Sequence, residues 1–398
     1  MRHALNGLAL AALAGLVSCV GAGTDPKPPS PVIAPPPVPE VQSAAFLGVE
    51  RGPPVSSLPV TDADANAALA AFLESCSWAT GKDDKSGLTR PADWQAACTA
   101  ARTARYDRGR AFFAEHFETV RIGNGEAFAT GYFEPELRGS RTRAPGYDVP
   151  VYRVPDDLTR AWPEDMAAGE RTGTPPRGRY DETGAFVPYW DREAIELGAL
   201  AGRGLEIAWA ADAIEFFFLQ IQGSGLLRLP DGSLMRIGYA DQNGRGYTAI
   251  GRTLKDRGEI GEGTDYAVSM QGIIDWLRDH PAQAAGVMRE NQSWIFFREL
   301  ATDGPLGSIA VPVRARDSVA VDPRFVPYGA PVFLDMDSDV ADGLWVAQDT
   351  GGAIKGANRF DTFWGNGGDA RRIAGGMSSG GQALILLPKG SVARLLAR

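Results

Sequence analysis

Histidine is scarce in this chain, with three among 398 residues. His3 lies in the expected leader, and His116 and His280 are predicted on or at the ends of helices, where surface or capping roles suffice. The sequence therefore offers neither a histidine-based metal site nor a Ser–His–Asp triad. We expect no metal and no cofactor.

Other chemistries are excluded by further absences. Only three cysteines are present, and they form no Cys-x-x-Cys pair. The glycine-rich segment 351–356 is not a phosphate loop, because Gly356 follows Lys355 where a serine or threonine is needed. The net charge of -9 argues against nucleic acid as a partner. The N-terminal apolar run, 8–17, is too short to span a bilayer.

Residues 1–19 have the pattern of a lipoprotein signal peptide. A short polar start precedes the apolar run, which ends in Leu16-Val17-Ser18-Cys19, a sequence similar to a lipobox. We expect Cys19 to be acylated and to anchor the protein in a membrane. The residue after Cys19 is Val20 and not an aspartate. By resemblance to lipoproteins, this favours sorting to the periplasmic side of the outer membrane. The alternative is an ordinary signal peptide with an incidental cysteine.

The segment 20–60 is predicted to be a proline-rich tether, in which polyproline II would make a semi-rigid spacer. A generic linker is the alternative.

Two cysteines, Cys76 and Cys98, remain after the leader. An even pair in a secreted chain predicts one disulfide between N-terminal helices. Two buried thiols are the alternative.

Hydrophobic periodicity divides the remainder into a helical block and two strand-rich regions. Helices are predicted at 62–78, 91–104, 108–117, 247–256 and 266–279. Strands are predicted at 126–133, 149–154, 205–209, 214–222, 226–229 and 233–239. Further apolar, strand-like runs occupy 308–313, 318–321, 331–334, 345–348 and 383–387. The high counts of glycine (48) and proline (28) agree with a β-rich fold.

Carboxylates recur beside the apolar runs near the C-terminal end. Asp322 follows one run, Asp349 opens the glycine-rich turn, and Asp361 follows Arg359-Phe360. A single acid beside glycine usually caps a turn. Three of them in one region favour acid–base chemistry, such as proton transfer to a glycosidic oxygen.

Several motifs occur in an order that resembles a known family. They are Thr130-Gly131-Tyr132-Phe133-Glu134-Pro135, Pro150-Val151-Tyr152-Arg153, Gln220-Ile221-Gln222-Gly223-Ser224-Gly225, Ser293-Trp294-Ile295-Phe296-Phe297, Val319-Ala320-Val321-Asp322-Pro323, Asp349-Thr350-Gly351-Gly352-Ala353-Ile354-Lys355-Gly356 and Arg359-Phe360-Asp361. Together they resemble the membrane-bound lytic murein transglycosylase A family, with its three-aspartate domain. The resemblance covers residues 125–388 and departs from the family at 368–381, where glycine and serine replace an aromatic-rich loop.

The resemblance implies a mainly β fold with a substrate groove between two domains. A double-psi β-barrel domain with N-terminal helices would be built from 61–137 and 301–398. A second β-domain, 138–300, would be inserted into it.

The resemblance also implies a reaction. Lytic transglycosylases cleave the β-1,4 bond between N-acetylmuramic acid and N-acetylglucosamine in peptidoglycan, and the sugar's own 6-hydroxyl forms a 1,6-anhydro ring without water. Asp361 would act first as acid and then as base. Asp349 and Asp322 would hold its loop, with a direct chemical role as the open alternative. Lys355 would pair with an acid or contact a sugar hydroxyl.

The resemblance implies that peptidoglycan glycan strands are the partner. Seven residues are expected to contact the glycan. They are Tyr132, Phe133, Gln222, Gly223, Ser224, Tyr239 and Asn243. Core packing is the alternative for Tyr132 and Phe133, and a plain loop is the alternative for 222–225. Trp364 would either stack on a sugar or cover the barrel. A complex with cell-wall synthesis or division proteins stays open.

Two other functions remain in view. A hydrolase on a related barrel would need a carboxylate that activates water, and Glu134 or Asp349 are the candidates. A non-catalytic wall-binding lipoprotein would bind peptidoglycan without lysing it.

Overall fold

The computed structural model describes residues 43–302 and 304–397. The predicted signal peptide and Cys19 lie outside the described residues, as does the part of the tether before residue 43. The predicted tether, 20–60, is wrong from residue 43 onward. Ala44 is fully buried and Leu58 is 6% exposed, and Ala44 donates its N–H to Arg324 O at 2.9 Å. Residues 43–60 therefore belong to the folded protein.

A helical block opens the described chain. Its helices are α1 (Ala44–Leu47), α2 (Asp62–Ala79), α3 (Gln95–Ala101) and α4 (Gly109–His116). Helix α2 begins at Thr61, whose side chain accepts the N–H of Asp64. The predicted disulfide is present between Cys76 and Cys98 and joins α2 to α3. Phe72 of α2 packs against Phe117 with ring centroids 5.3 Å apart, which fixes the block on the neighbouring sheet.

The first sheet contains eight strands and uses residues from both ends of the chain. These are β1 (Val49–Arg51), β2 (Phe117–Ile122), β3 (Glu126–Glu134), β13 (Ser318–Val321), β14 (Pro331–Met336), β15 (Gly343–Asp349), β16 (Arg359–Asn366) and β17 (Ser378–Pro388). Their order is β1-β2-β17-β14-β15-β13-β16-β3, and β17 also pairs with β3. Helices α10 (Gly367–Gly376) and α11 (Ser391–Leu396) complete this part.

The middle of the chain forms a second sheet and a smaller third one. The strands are β4 (Glu136–Ser140), β5 (Val149–Tyr152), β6 (Thr159–Arg160), β7 (Arg177–Tyr180), β8 (Phe186–Pro188), β9 (Glu206–Ala210), β10 (Ser224–Arg228), β11 (Leu234–Gln242) and β12 (Ile295–Leu300). The second sheet has the order β12-β11-β10-β4-β9-β5, and the third has the order β6-β7-β8. The accompanying helices are α5 (Arg192–Glu196), α6 (Ala213–Gln222), α7 (Ile250–Asp256), α8 (Met270–Asp279) and α9 (Pro281–Arg289).

One predicted strand is wrong. Residues 214–222 form helix α6, which Asp212 caps by accepting the N–H groups of Ile214 and Glu215. Gly223 ends the helix with φ +82°, a conformation that glycine adopts without strain. A short apolar run rich in phenylalanine fits a buried helix as well as a strand, so periodicity alone did not decide this element. The run 308–313 also forms no strand; it is a loop with one bridge from Leu306 to Pro312.

Ion pairs connect the middle of the chain to strand β3 of the first sheet and to helix α10. Glu215 of α6 accepts from Arg371 of α10 at 3.0 Å and from Arg278 of α8 at 2.9 Å. Glu134, at the end of β3, is buried and pairs with Arg236 of β11 at 2.8 Å. These contacts restrain the two parts of the fold relative to each other. Within the described ranges, no helix is both long and apolar enough to cross a membrane.

Candidate active site

Strand register places the first two elements of the site side by side. Strands β16 and β3 are parallel, and Asp361 lies opposite Thr130. On its other side, Asp361 lies opposite Ala320 of β13, which in turn pairs with Asp349 of β15. One row across the sheet therefore contains both aspartates, two strand spacings or about 10 Å apart at the backbone. The predicted grouping of Asp349 and Asp361 follows from this row.

The carboxylate of Asp361 is held on one side and is partly exposed. Its Oδ1 accepts a hydrogen bond from Thr130 Oγ1 at 2.5 Å, and Thr130 Oγ1 in turn accepts one from Arg359 Nη2 at 2.9 Å. Burial raises the pKa of Asp361 to about 6, with a smaller upward contribution from the charge of Asp349. The bond from Thr130 and the charge of Arg359 act in the opposite direction. A carboxyl with this pKa exchanges a proton near neutral pH.

Asp349 is engaged on both oxygens. Its Oδ2 accepts from the hydroxyl of Tyr132 at 3.0 Å. Its Oδ1 accepts from Ser308 Oγ at 2.7 Å and from the N–H of Thr350 at 2.8 Å. Burial raises the pKa of Asp349, and these hydrogen bonds oppose the rise. The side chain thus ties β3, the 308 loop and the glycine-rich turn together.

Asp322 is buried and fixes the far end of the same turn. It accepts the N–H of Gly356 at 2.9 Å and pairs with Arg324, whose Nη2 lies 2.6 Å from Oδ2. Burial alone would raise the pKa of Asp322, but the bonds from Arg324 and Gly356 hold it below the usual range. Lys355 is exposed and forms no ion pair with any residue that the structure describes, so the predicted pairing with an acid is not present.

Tyr247 lies beside the glycine-rich turn, and the sequence did not identify it as a site residue. It lies in the loop before α7, where a helix was predicted, and its ring is 39% exposed. Burial raises the pKa of Tyr247, and the charge of Asp361 raises it further. A Cβ on Gly352 would lie 4.0 Å from the Cβ of Tyr247. No local signal links a tyrosine in one sheet's loop to an aspartate in another sheet.

The two predicted aromatic glycan contacts are core residues. Tyr132 is 9% exposed and packs on Phe363 with ring centroids 4.9 Å apart, while its hydroxyl serves Asp349. Phe133 is 5% exposed and belongs to the core of the first sheet. Trp364 is also buried, against Trp345 at 5.6 Å, so it covers the sheet and does not stack on a sugar.

The predicted polar contacts separate into two groups. Asn243 is fully buried: its amide donates to Trp190 O and Gln292 O at 2.9 Å, and its oxygen accepts the N–H of Trp294 at 3.0 Å. It holds loops together and has no donor left for a glycan, so that prediction is wrong. Tyr239, in contrast, is 44% exposed at the edge of β11.

Residues 222–224 join α6 to β10. Gln222 accepts the N–H of Phe133 at 3.1 Å, Gly223 ends the helix, and Ser224 opens the strand. All three are partly exposed. The turn follows a helix and not the predicted strand. The side-chain amide oxygen of Gln222 is already bound to the N–H of Phe133 in the first sheet.

The arrangement supplies one carboxyl that is free to exchange a proton. The two candidates for a water-activating base are both occupied, since Asp349 is bound on both oxygens and Glu134 is 1% exposed and paired with Arg236. Among the described residues, no three histidine, cysteine, aspartate or glutamate side chains are grouped to hold a metal ion.

Comparison with known proteins agrees with the family resemblance. The family model of the MltA-specific insert domain matches residues 128–298, and that of the 3D domain matches residues 317–387. The membrane-bound lytic murein transglycosylase A of Escherichia coli K12 is 30% identical over 273 residues, which cover 66% of each chain. A membrane-bound lytic murein transglycosylase from Agrobacterium tumefaciens has a solved structure that is 33% identical, with a TM-score of 0.76, covering 87% of this chain and 99% of that one. This chain belongs to the membrane-bound lytic murein transglycosylase A family.

Two further structures of family members extend the comparison. MltA from Neisseria gonorrhoeae is 34% identical with a TM-score of 0.67, covering 85% of this chain and 90% of that one. E. coli MltA with bound chitohexaose is 25% identical with a TM-score of 0.61, covering 85% and 94%. The mainly β fold of the family is therefore present here, as the sequence predicted.

Proposed function

We infer that this protein is a lytic transglycosylase that cleaves peptidoglycan strands and leaves 1,6-anhydromuramic acid ends. The observation that carries the inference is Asp361: a partly exposed carboxyl with a pKa of about 6, whose Oδ1 is held by Thr130 while its other oxygen is not bound by a described residue. Family members with the same fold are named for this activity on murein, and one was solved with chitohexaose.

The reaction needs two proton transfers and one carboxyl. Protonated Asp361 donates its proton to the bridging oxygen as the glycosidic bond breaks, and positive charge develops on the muramic acid ring. The resulting carboxylate stabilises this charge and accepts the proton of the sugar's 6-hydroxyl. The hydroxyl oxygen then bonds to the anomeric carbon and closes the anhydro ring. Asp361 ends in the protonated form in which it began, and no water is consumed.

Asp349 and Asp322 serve the acid indirectly. The negative charge of Asp349 disfavours ionisation of Asp361, which keeps the acid protonated closer to neutral pH. Asp322 anchors Gly356, three residues before Arg359, and so positions the strand that carries the acid.

The finer architecture is also a proposal. We assign a double-psi barrel to 61–137 and 301–398, with 138–300 as the inserted domain and the glycan groove between the two. The pairing of β17 with both β14 and β3 supports the barrel, and the position of Tyr247 beside Gly352 of the glycine-rich turn supports the groove. Acylation of Cys19 and attachment to the periplasmic side of the outer membrane rest on the sequence.

The test is mass spectrometry of muropeptides released from purified sacculi. Wild-type protein is expected to release anhydro-ended products, and Asp361→Asn to reduce release at least about a hundredfold. Reducing ends would identify a hydrolase instead, and sacculus binding without release would identify a binding protein. Asp322→Asn should lose activity only as far as it loses thermal stability. Asp349→Asn should in addition lose activity at a lower pH than wild type as pH rises, because the charge that keeps Asp361 protonated is removed. Near-normal release by Asp361→Asn would show that the catalytic acid has been assigned to the wrong aspartate.

A further inference from the structure

An exposed aromatic ring lies beside the acid on the same face of the first sheet. Along β3, Ala127 and Ala129 are buried, whereas Phe128 is 44% exposed and Thr130 is partly exposed. Strand alternation therefore directs Phe128 and Thr130 to one face. Phe128 is two residues before Thr130, about 7 Å along the strand, so its ring lies next to the row that contains Asp361.

The neighbours of Phe128 on the two adjacent strands differ sharply. In β16 it pairs with Arg359, whose guanidinium carbon lies 5.2 Å from the ring centre. In β17 it pairs with Gly380, which contributes no side chain. One flank of the ring therefore faces the donors of Arg359, and on the other flank Asp337 Oδ2 lies 3.0 Å from the position that a Cβ of Gly380 would take.

Arg359 retains donors for a ligand. Of its five N–H groups, Nη1 donates one to Phe360 O and Nη2 donates one to Thr130 Oγ1. It forms no ion pair with any residue in 43–302 or 304–397. Burial lowers the pKa of Arg359, although the group stays charged. Donors that are charged and partly buried, and that make no direct ion pair, bind neutral acceptors strongly.

We propose that Phe128 and Arg359 form a sugar-binding ledge beside the acid, which takes one N-acetylated hexosamine of the glycan next to the cleaved bond. The apolar C–H face of the pyranose covers the exposed part of the Phe128 ring and removes it from water. The free N–H groups of Arg359 donate to the acetamido carbonyl or a ring hydroxyl of the same sugar. The proposal rests on the function inferred above and specifies one binding position within it.

The ledge has a measurable consequence for binding. Complete burial of a phenylalanine side chain is equivalent to about ten- to a hundredfold in affinity, and the exposed 44% of this ring therefore corresponds to about three- to tenfold. The probe is chitohexaose, titrated calorimetrically into Asp361→Asn protein so that no turnover occurs and no acid is perturbed. We expect Phe128→Ser and Arg359→Met each to raise Kd about three- to tenfold. Phe128→Trp, which keeps a platform, should bind at least as well as phenylalanine.

Tyr106→Ser is the matched control, because Tyr106 is 56% exposed but lies in the turn between α3 and α4. It should leave Kd unchanged. In protein with an intact Asp361, Phe128→Ser should raise KM and keep kcat within about twofold, as expected for lost ground-state and transition-state binding alike. If Phe128→Ser does not fold, Phe128→Thr replaces it with the same threshold, because threonine favours strands and also removes the apolar platform.

An unchanged Kd in either Phe128→Ser or Arg359→Met overturns the ledge, as does an equal effect of Tyr106→Ser. This failure is separate from failure of the proposed function, which appears as absence of anhydro products from wild-type protein. The Kd comparison uses inactive protein and does not depend on that outcome.

Discussion

Asp361→Asn should make the folded protein more stable at neutral pH while removing its activity. The pKa of Asp361 rises from 3.8 to about 6 in the folded state, because the carboxylate is surrounded by protein. At 1.36 kcal/mol per pKa unit, keeping this group ionised in the folded protein costs up to about 3 kcal/mol. Asparagine has the same shape, carries no charge and still accepts the hydrogen bond from Thr130, so the substitution removes most of that cost.

The pH dependence gives the sign of this effect. Below pH 3.8 the carboxyl is protonated in both the folded and the unfolded chain, and the variant should match the wild type. As pH rises towards 6, the unfolded chain loses its proton first, and wild-type stability falls relative to the variant. Above about pH 6 the difference reaches its full value.

Urea unfolding at pH 4 and pH 7.5, with the disulfide intact, measures the difference directly. The exposed carboxylate of Asp83 provides the control, because Asp83→Asn should change stability little at either pH. The reasoning is refuted if Asp361→Asn is less stable than wild type at pH 7.5, or if its advantage is the same at both pH values.

Four further outcomes follow from contacts described above. The value of kcat/KM should fall as pH rises above about 6, because the initial proton must reside on Asp361, and a pH–rate profile on soluble glycan measures this fall. Thr130→Val removes a bond that favours the charged carboxylate, so the limb of that profile should move to higher pH; a shift to lower pH would contradict the assignment. Reduction of Cys76–Cys98 should lower unfolding free energy by about 2–4 kcal/mol in a denaturant titration, and a Cys76→Ser/Cys98→Ser protein with unchanged stability would argue against it. Asp322→Asn should lower the melting temperature by a few degrees, because Gly356 loses a charged acceptor.

The sequence was most informative where one segment determines its own structure. The apolar stripe of α2, the even cysteine pair and the continuous apolar strands near residue 320 could all be predicted, because local periodicity and composition decide them. It failed at 214–222, where three consecutive phenylalanines fit a buried helix and a strand equally.

Side-chain partners in the site could be predicted only in part. The three aspartates were identified as a group, yet only strand register shows that Asp349 lies in the same row as Asp361. Asn243 was read as a glycan contact because polar loop residues often bind ligands, but its partners, at 190, 292 and 294, come from distant loops. Tyr247 was missed for the same reason, since its relation to the acid depends on tertiary packing.

Asp361 and its partner Thr130 lie on the adjacent parallel strands β16 and β3, so the acid site forms late in folding. Thr130 and Asp361 are 231 positions apart, and the whole middle sheet lies between them in the chain. Contacts of such long range form slowly, because the intervening chain must lose conformational entropy before the contacts stabilise the fold. A chain still being made, or caught in a partly folded state, therefore lacks the Thr130–Asp361 contact. The carboxyl that would cut a load-bearing polymer therefore gains its folded surroundings only after the intervening sheet is ordered.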